Sequence, residues 1–175
     1  MKIAISGKSG CGNTTLSRLV ADKLGLEFIN YTFRNMAEEK GIKFEEMTAL
    51  AQKDDNYDVL LDEKQKELAM KGNCVVGSRL AIWHIDDADL KIFLTAPAEV
   101  RGKRIHKREG GSLEEVIQKT AVRDKKDTER FKRIYNIDNS NYSHADLIID
   151  TISHSAEELA DIIVAKAKSM LDSTA

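Results

Sequence analysis

The chain has 175 residues, a length typical of a single domain that buries its own core without disulfides or a structural metal. Charged residues make up 32% of it and hydrophobic residues 42%, a composition that argues against intrinsic disorder. No apolar run approaches the roughly 20 residues that span a bilayer, and the net charge of −2 gives no reason to expect nucleic-acid or membrane binding.

The first residues, Met1 to Ser6, already have strand-like sequence, so we expect no signal or transit peptide and a cytoplasmic protein. The only two cysteines, Cys11 and Cys74, belong to no CxxC or His-rich pattern. We therefore expect two reduced thiols and no disulfide.

Five short apolar runs predict β-strands: Lys2–Ser6, Glu27–Asn30, Asn73–Gly77, Leu90–Leu94 and Asp146–Asp150. Their Ile, Val and Phe content without strict alternation is typical of strands buried on both faces, as in a parallel sheet. Helical patterns separate these strands. We therefore predict an α/β fold of three layers, in which helices cover both faces of a five-stranded parallel sheet.

Local signals also predict where individual helices begin and end. Gly25 stands where the first helix should stop. Ser112 with Glu115, and Ser155 with Glu158, have the spacing of capping boxes that open two later helices. The last of these helices has a predicted apolar stripe of Leu159, Ile162, Ile163 and Met170.

Two long helical stretches interrupt the alternation of strands and helices. We predict inserts at about residues 31–71 and 101–143 in one domain, whose core comprises about residues 1–30, 72–100 and 144–175. Neither insert has the apolar content of a separate core, so both are expected to be mobile helical flaps. Between Pro97 and Arg133, 12 Lys/Arg stand against 7 Asp/Glu, which favours either a small polyanionic ligand or a solvated helical surface.

A glycine-rich loop follows the first strand directly, and its residues are Gly7, Lys8, Ser9, Gly10, Cys11, Gly12, Asn13, Thr14 and Thr15. Glycines let backbone N–H groups wrap a phosphate at close range, and the next helix directs its positive N-terminal end at the anion. We therefore expect these nine residues to bind the phosphates of ATP. The Thr14 hydroxyl is the expected protein ligand of Mg²⁺.

Asn13 occupies the position at which the motif GxxxxGK[ST] has lysine. That lysine places a full charge near the β- and γ-phosphates, whereas an asparagine donates a hydrogen bond without charge. Lys8 is the only cation in the loop, at a position where partition-type P-loop ATPases, which this loop resembles, carry an additional lysine. We hypothesise that Lys8 is catalytic and supplies the missing charge. The alternative is that Lys8 faces solvent and the site binds nucleotide without efficient chemistry.

Further along the chain, several uncommon residue combinations occur together. They are Phe33-Arg34, the stretch Asp62–Ala69, Ser78–Ala81 with Trp83, the stretch Leu94–Arg101, Arg123, Arg130 and Ile134–Asp138. With the loop, they make nearly the whole chain resemble the nucleoside monophosphate kinases, above all the short archaeal-type cytidylate kinases. The resemblance implies a P-loop NTPase fold in which the first insert binds the acceptor monophosphate and the second closes over ATP as a lid.

The same resemblance implies phosphoryl transfer from ATP to CMP or dCMP with Mg²⁺, and small-molecule nucleotides as the partners. Two alternatives stay open: a kinase for UMP, dTMP or AMP, and a nucleotide-binding sensor with little catalysis. The sequence does not indicate whether the protein is a monomer or a homodimer.

The resemblance also implies roles for several arginines. Arg34 and Arg79 would hold the acceptor phosphate, since a guanidinium directs two N–H donors at phosphate oxygens. Arg123 and Arg130, seven residues apart and so on one helix face, would be catalytic residues that neutralise the transferred phosphoryl group. Two further arginines are weaker candidates for that role: Arg104 and Arg108.

Base recognition and metal binding have less certain candidates. Asp58 and Asp62 would accept hydrogen bonds from a cytosine amino group, Gln65 would pair with the base edge and Tyr57 would stack on it, although solvated carboxylates on an acidic helix are an alternative. Similar enzymes often carry a metal-binding acid at the end of the third strand, and this chain has none there. Asp150, at the end of the fifth strand, is an alternative metal ligand on grounds of topology alone. The four histidines have no ligand spacing and are interpreted as surface or core residues: His84, His106, His144 and His154.

Overall fold

Five parallel strands form the centre of the protein in the computed structural model, which describes residues 1–172. In chain order they are β1 (Lys2–Gly7), β2 (Glu27–Ile29), β3 (Cys74–Gly77), β4 (Leu90–Thr95) and β5 (Leu147–Asp150). Their order across the sheet is β2-β3-β1-β4-β5. All five predicted strands and the α/β class are therefore confirmed.

Helices cover both faces of this sheet, as its buried strands require. They are α1 (Asn13–Leu24), α2 (Phe33–Lys40), α3 (Phe44–Ala51), α4 (Asn56–Ala69), α5 (Ala81–His84), α6 (Ala98–Glu109), α7 (Leu113–Tyr135) and α8 (Ala156–Asp172). Ile3 and Ile5 of β1 pack under α1 and α8, whereas Ala4 packs with α5 on the other face. Within residues 1–172, no helix has the length and apolar character needed to cross a membrane.

The helix ends agree in part with the local signals. Gly25 ends α1 with a φ of 65°, as predicted. The box of Ser155 and Glu158 forms, because the serine N–H donates to Glu158 at 2.8 Å and the serine hydroxyl accepts from the Glu158 N–H at 3.2 Å. Ser112 precedes α7, but its side chain makes no capping hydrogen bond. The capping box predicted for Ser112 and Glu115 is therefore wrong.

The predicted stripe of α8 is wrong at one position. Leu159 and Ile163 are buried, whereas 46% of Ile162 is exposed. Three residues along a helix leave Ile162 about 60° away from Leu159 around the axis, at the edge of the buried face. The stripe facing the core is therefore narrower than the sequence pattern indicates.

Three helices, α2 to α4, form the first insert between β2 and β3, and α6 and α7 form the second insert between β4 and β5. Met36, Ala37 and Met47 are buried together in the first insert, where α2, α3 and α4 surround them. The composition did not indicate this cluster. The first insert is consequently a packed unit with a small apolar centre of its own.

Candidate nucleotide-binding site

A cleft of about 670 Å³ opens beside the glycine-rich loop and the carboxyl end of β3. Ligands of open α/β sheets collect at this edge. The cleft brings together most of the predicted site residues: Ser9, Gly10, Gly12, Asn13, Thr14, Thr15, Asp58, Asp62, Gln65, Arg79, Arg104, Arg108, Arg123 and Arg130. Six other predicted residues are not part of its lining: Gly7, Lys8, Cys11, Arg34, Tyr57 and Asp150.

The loop needs glycine at positions where its backbone turns sharply. Gly10 and Gly12 have φ angles of 84° and 96°, a region in which other residues are strained. A Cβ atom on Gly10 would also lie 2.8 Å from the backbone oxygen of Arg101 in α6. The loop is thus packed directly against the second insert, and α1 begins at its far end.

Asn13 uses its side chain within the loop. Its Nδ2 atom donates a hydrogen bond of 2.6 Å to the backbone oxygen of Gly7, where the loop begins. Its Oδ1 atom is buried and accepts no hydrogen bond from residues 1–172. The asparagine therefore ties the two ends of the loop together and contributes no charge.

Lys8 is not part of the lining of the large cleft. It lines a separate small cavity together with Arg79, Asp124, Asp127 and Asn139. Among the described residues no carboxylate oxygen lies within 4.0 Å of its Nζ atom. Arg79 lines both this cavity and the large cleft, so it is a residue that the two share.

Arg101, which the sequence analysis passed over, has the most buried guanidinium near the loop. It donates to the backbone oxygens of Ser9 at 3.0 Å and Ala96 at 3.2 Å, and pairs with both carboxylate oxygens of Asp124 at 2.6 and 3.3 Å. The one indication of this role in the sequence was that Arg101 ends the stretch Leu94–Arg101, which resembles the family. Arg101 joins the loop, β4 and α7, and its donors are used inside the protein.

Two other arginines of the second insert reach the loop from the cleft. Arg104 donates to the backbone oxygen of Gly10 at 3.3 Å and to the hydroxyl and backbone oxygens of Thr151 at 2.8 and 2.7 Å. Arg123 lies 3.5 Å from the Ser9 hydroxyl and is otherwise exposed to the cleft. Arg123 therefore keeps most of its donors for a ligand.

A buried acid of α7 joins Arg79 to Arg130. One oxygen of Asp127 accepts from Arg79, and the other lies 3.1 Å from Nη2 of Arg130. The Nε atom of Arg130 is in turn 3.2 Å from Oδ1 of Asp58 on α4. Asp127, which was not predicted, thus neutralises two arginines whose sequence positions indicate phosphate binding.

Arg34 lies apart from the cleft. Its side chain is exposed, and its guanidinium sits 4.5 Å from the ring centroid of Phe44 on the neighbouring helix. Tyr57 packs against the apolar centre of the first insert and is likewise not part of the cleft lining.

Three polar residues of α4 share one helix face and line the cleft: Asp58, Asp62 and Gln65. Oδ2 of Asp58 and Oε1 of Gln65 are buried, and neither accepts a hydrogen bond from residues 1–172. Burial raises the pKa of the Asp58 carboxyl from 3.8 to about 6, against the opposing charge of Arg130. Buried polar atoms are nearly always satisfied, so unpartnered acceptors on residues that line a cleft indicate a ligand.

Asp62, in contrast, already has partners in the protein. The Tyr135 hydroxyl donates to its Oδ2 atom at 2.5 Å, and Nε2 of His84 lies 3.4 Å from the same oxygen. The contact joins α4, α5 and α7. His84, interpreted from sequence as a surface or core residue, is part of it.

Thr14 is the one predicted metal ligand that the structure places in the cleft. Its hydroxyl accepts a hydrogen bond of 3.2 Å from Asn30, at the end of β2, and its other lone pair is open. Asp150 is exposed, accepts from the Ile152 N–H and is not part of the lining. Residues 1–172 hold no cluster of three or more His, Cys, Asp or Glu suited to a metal ion.

The two cysteines are free, as predicted, and both are buried. Burial raises the pKa of each thiol. Cys11 packs into the apolar core beneath the loop and presents no group to the cleft.

A glycine loop between a central parallel strand and a helix, with helical inserts over the cleft, defines a kinase of the P-loop NTPase fold. The structure of shikimate kinase from Acinetobacter baumannii has this fold. It is 18% identical to the chain, covers 96% of it and 93% of its own length, and superimposes with a TM-score of 0.64.

The family follows from sequence relatives. The model of the Cytidylate kinase-like family matches residues 2–153. Cytidylate kinase 2 of Borrelia garinii is 48% identical over 167 residues, which are 93% of this chain and 94% of that protein. The cytidylate kinase of Archaeoglobus fulgidus is 43% identical over 94% of this chain and 93% of its own. The chain belongs to the cytidylate kinase-like family and is a nucleoside monophosphate kinase.

Proposed function

We propose that the protein phosphorylates CMP and dCMP, with ATP and Mg²⁺ as the donor. The observation that carries this proposal is the polar face of α4, where Asp58 and Gln65 line the cleft and each keeps a buried acceptor without a partner among residues 1–172. The names of the Borrelia and Archaeoglobus relatives support the same acceptor.

Cytosine has the complementary edge. Its exocyclic amino group donates hydrogen bonds to Asp58, and its ring nitrogen accepts one from the Gln65 amide. Uracil presents a carbonyl oxygen in place of the amino group, so a uracil base would bring two acceptors together at Asp58. A site that leaves buried polar groups unpaired with the wrong ligand rejects that ligand strongly.

In this proposal, phosphoryl transfer takes place at the loop end of the cleft. The loop amides and the N-terminus of α1 hold the ATP phosphates, and Thr14 with water and phosphate oxygens would hold Mg²⁺, which keeps much of its hydration shell. Mg²⁺ held there would supply neutralisation of the phosphate charge. An oxygen of the acceptor phosphate then attacks the γ-phosphorus in line, and ADP leaves.

The arginines of the site come from two parts of the chain, since Arg79 follows β3 whereas Arg123 and Arg130 lie on α7. In the proposal, the first insert holds the acceptor and the second closes as a lid. Arg123 has free donors facing the loop, whereas Arg79 and Arg130 exchange Asp127 for phosphate oxygens when the substrates bind. The donors of these arginines then stabilise the charge that is spread over the transferred group.

Lys8 supplies the charge that Asn13 lacks. Its ammonium has no carboxylate within 4.0 Å among residues 1–172, and Lys8 lines the small cavity that Arg79 also lines. From there it approaches the transferred phosphoryl group from the acceptor side of the loop.

Steady-state assays with ATP, Mg²⁺ and a panel of CMP, dCMP, UMP, dTMP and AMP test the acceptor. We expect kcat/KM for CMP or dCMP to exceed that for UMP by about 100-fold or more, given the cost of unpaired buried acceptors. Turnover of another monophosphate at the rate of CMP would contradict the proposal.

A further inference from the structure

Three elements meet at a single carboxylate oxygen in the wall of the cleft. Asp62 of α4 receives the Tyr135 hydroxyl at 2.5 Å and has His84 Nε2 at 3.4 Å, and both contacts involve Oδ2. Its other oxygen, Oδ1, accepts no hydrogen bond from residues 1–172. The side chain of Asp62 is nevertheless only 12% exposed, and it lines the cleft.

The ring of Tyr135 is itself held in place. The His84 ring packs edge-on against it, with centroids 4.7 Å apart at an angle of 78°. Burial, together with the bond to Asp62, raises the pKa of the Tyr135 hydroxyl, so the group keeps its proton. His84 Nε2 is buried and makes no hydrogen bond, which leaves Tyr135 as the hydrogen-bond donor to Asp62.

Anchoring one oxygen gives the other a fixed direction. A carboxylate without partners rotates and presents either oxygen, whereas a hydrogen bond to a charged group holds its geometry. Asp62 is one helical turn from Asp58 on the same face of α4. The two residues therefore offer two separate acceptors, which match the two N–H bonds of an exocyclic amino group.

We propose that Tyr135 is a positioning residue for base selection, holding Oδ2 of Asp62 so that Oδ1 accepts from the cytosine amino group. This inference rests on the proposed function in CMP phosphorylation. Tyr135 is the last residue of α7, the helix that carries Arg123 and Arg130. Base selection and phosphate neutralisation thus share one element.

The Tyr135→Phe variant removes the hydroxyl and keeps the ring and its contact with His84. We expect the ratio of kcat/KM for CMP over UMP to fall about tenfold, the effect of about 1.4 kcal/mol. The loss should come from a higher KM for CMP, with kcat at saturating CMP within about twofold of wild type. Tyr142→Phe is the matched control, because Tyr142 stacks on Phe93 at 4.4 Å, away from Asp62.

A double-mutant cycle separates positioning from a general structural role. In an Asp62→Ala background the Tyr135 hydroxyl has no carboxylate to hold, so Tyr135→Phe should leave the CMP/UMP ratio unchanged. An equal fall of the ratio in both backgrounds would overturn the inference. So would an unchanged ratio with a lower Tm, since that result assigns the hydroxyl to stability alone.

Wild type in the same assay distinguishes the two proposals. If wild type does not prefer CMP to UMP, the proposed function fails and the inference falls with it. If wild type prefers CMP and Tyr135→Phe keeps the full preference, only the role of Tyr135 is wrong.

Discussion

The two ends of the cleft bind ligands with different parts of the chain. At the loop end, glycines with positive φ expose backbone N–H groups, and the side chains of Arg101 and Asn13 donate hydrogen bonds to backbone oxygens of the loop. At the α4 end, buried side-chain oxygens of Asp58 and Gln65 have no protein partner.

This difference explains how one fold serves many kinases. Backbone amides recognise any phosphate, and the fold that carries the loop is shared with a protein as distant as shikimate kinase. Side chains with open hydrogen-bonding positions recognise one base edge. The proposed function therefore assigns acceptor specificity to one face of one helix.

The largest expected effect is the loss of Arg101, which tests whether the loop end is held together internally. Arg101→Ala leaves Asp124 and two backbone oxygens without their buried donor, so the free energy of unfolding should fall by about 3–5 kcal/mol. Urea unfolding at neutral pH measures this. Arg108→Ala is the control, since Arg108 is 62% exposed and pairs only with Glu109. Equal effects of the two substitutions would contradict the comparison.

Lys8→Ala tests whether the loop end needs one side-chain charge in addition to the backbone N–H groups that would bind the phosphates. We expect kcat to fall about 10²–10³-fold, as for other groups that stabilise transition-state charge, with little change in KM for CMP. Lys103→Ala is the matched control, because Lys103 is exposed on α6 and pairs with Glu99. Near-normal turnover of Lys8→Ala would show that the charge comes from elsewhere.

The pH dependence of stability probes the α4 end. The folded protein holds the Asp58 proton more tightly than the unfolded chain, because the pKa rises from 3.8 to about 6. Asp58 therefore favours folding below pH 3.8 and loses that contribution as the pH rises through about 6. Relative to wild type, Asp58→Asn should gain about 2–3 kcal/mol between these limits.

Denaturant unfolding of both proteins at several pH values measures this gain. Parallel stability profiles for wild type and Asp58→Asn would contradict the conclusion that burial outweighs the charge of Arg130 at the Asp58 carboxyl.

Local patterns carried the prediction of the fold. The strands, Gly25 and the Ser155 cap each depend on residues close in sequence, and all three are confirmed. The predicted burial of Ile162 is wrong, because the periodicity of apolar residues does not show how wide a face of the helix the sheet covers.

The site was predictable where a motif specifies it and not where distant elements meet. Arg79 and Asp127 are 48 residues apart, and Asp62 and Tyr135 are 73 apart. These contacts depend on how α7 crosses the cleft, which no local pattern encodes. Arg34 is the opposite case. The resemblance implied a phosphate contact for it, but its guanidinium stacks on Phe44 and the residue does not line the cleft.

The hydrogen bond from Asn13 to Gly7 has a consequence for how this loop can evolve. Asn13→Lys alone would install the usual charge but delete the side-chain bond that closes the loop, while Lys8 would still add its own charge. Under the proposed role of Lys8, the two positions are therefore epistatic. Conversion to the common loop would require changes at both, and the order of the changes would decide whether the intermediate loop lacks its closing hydrogen bond or lacks its charge.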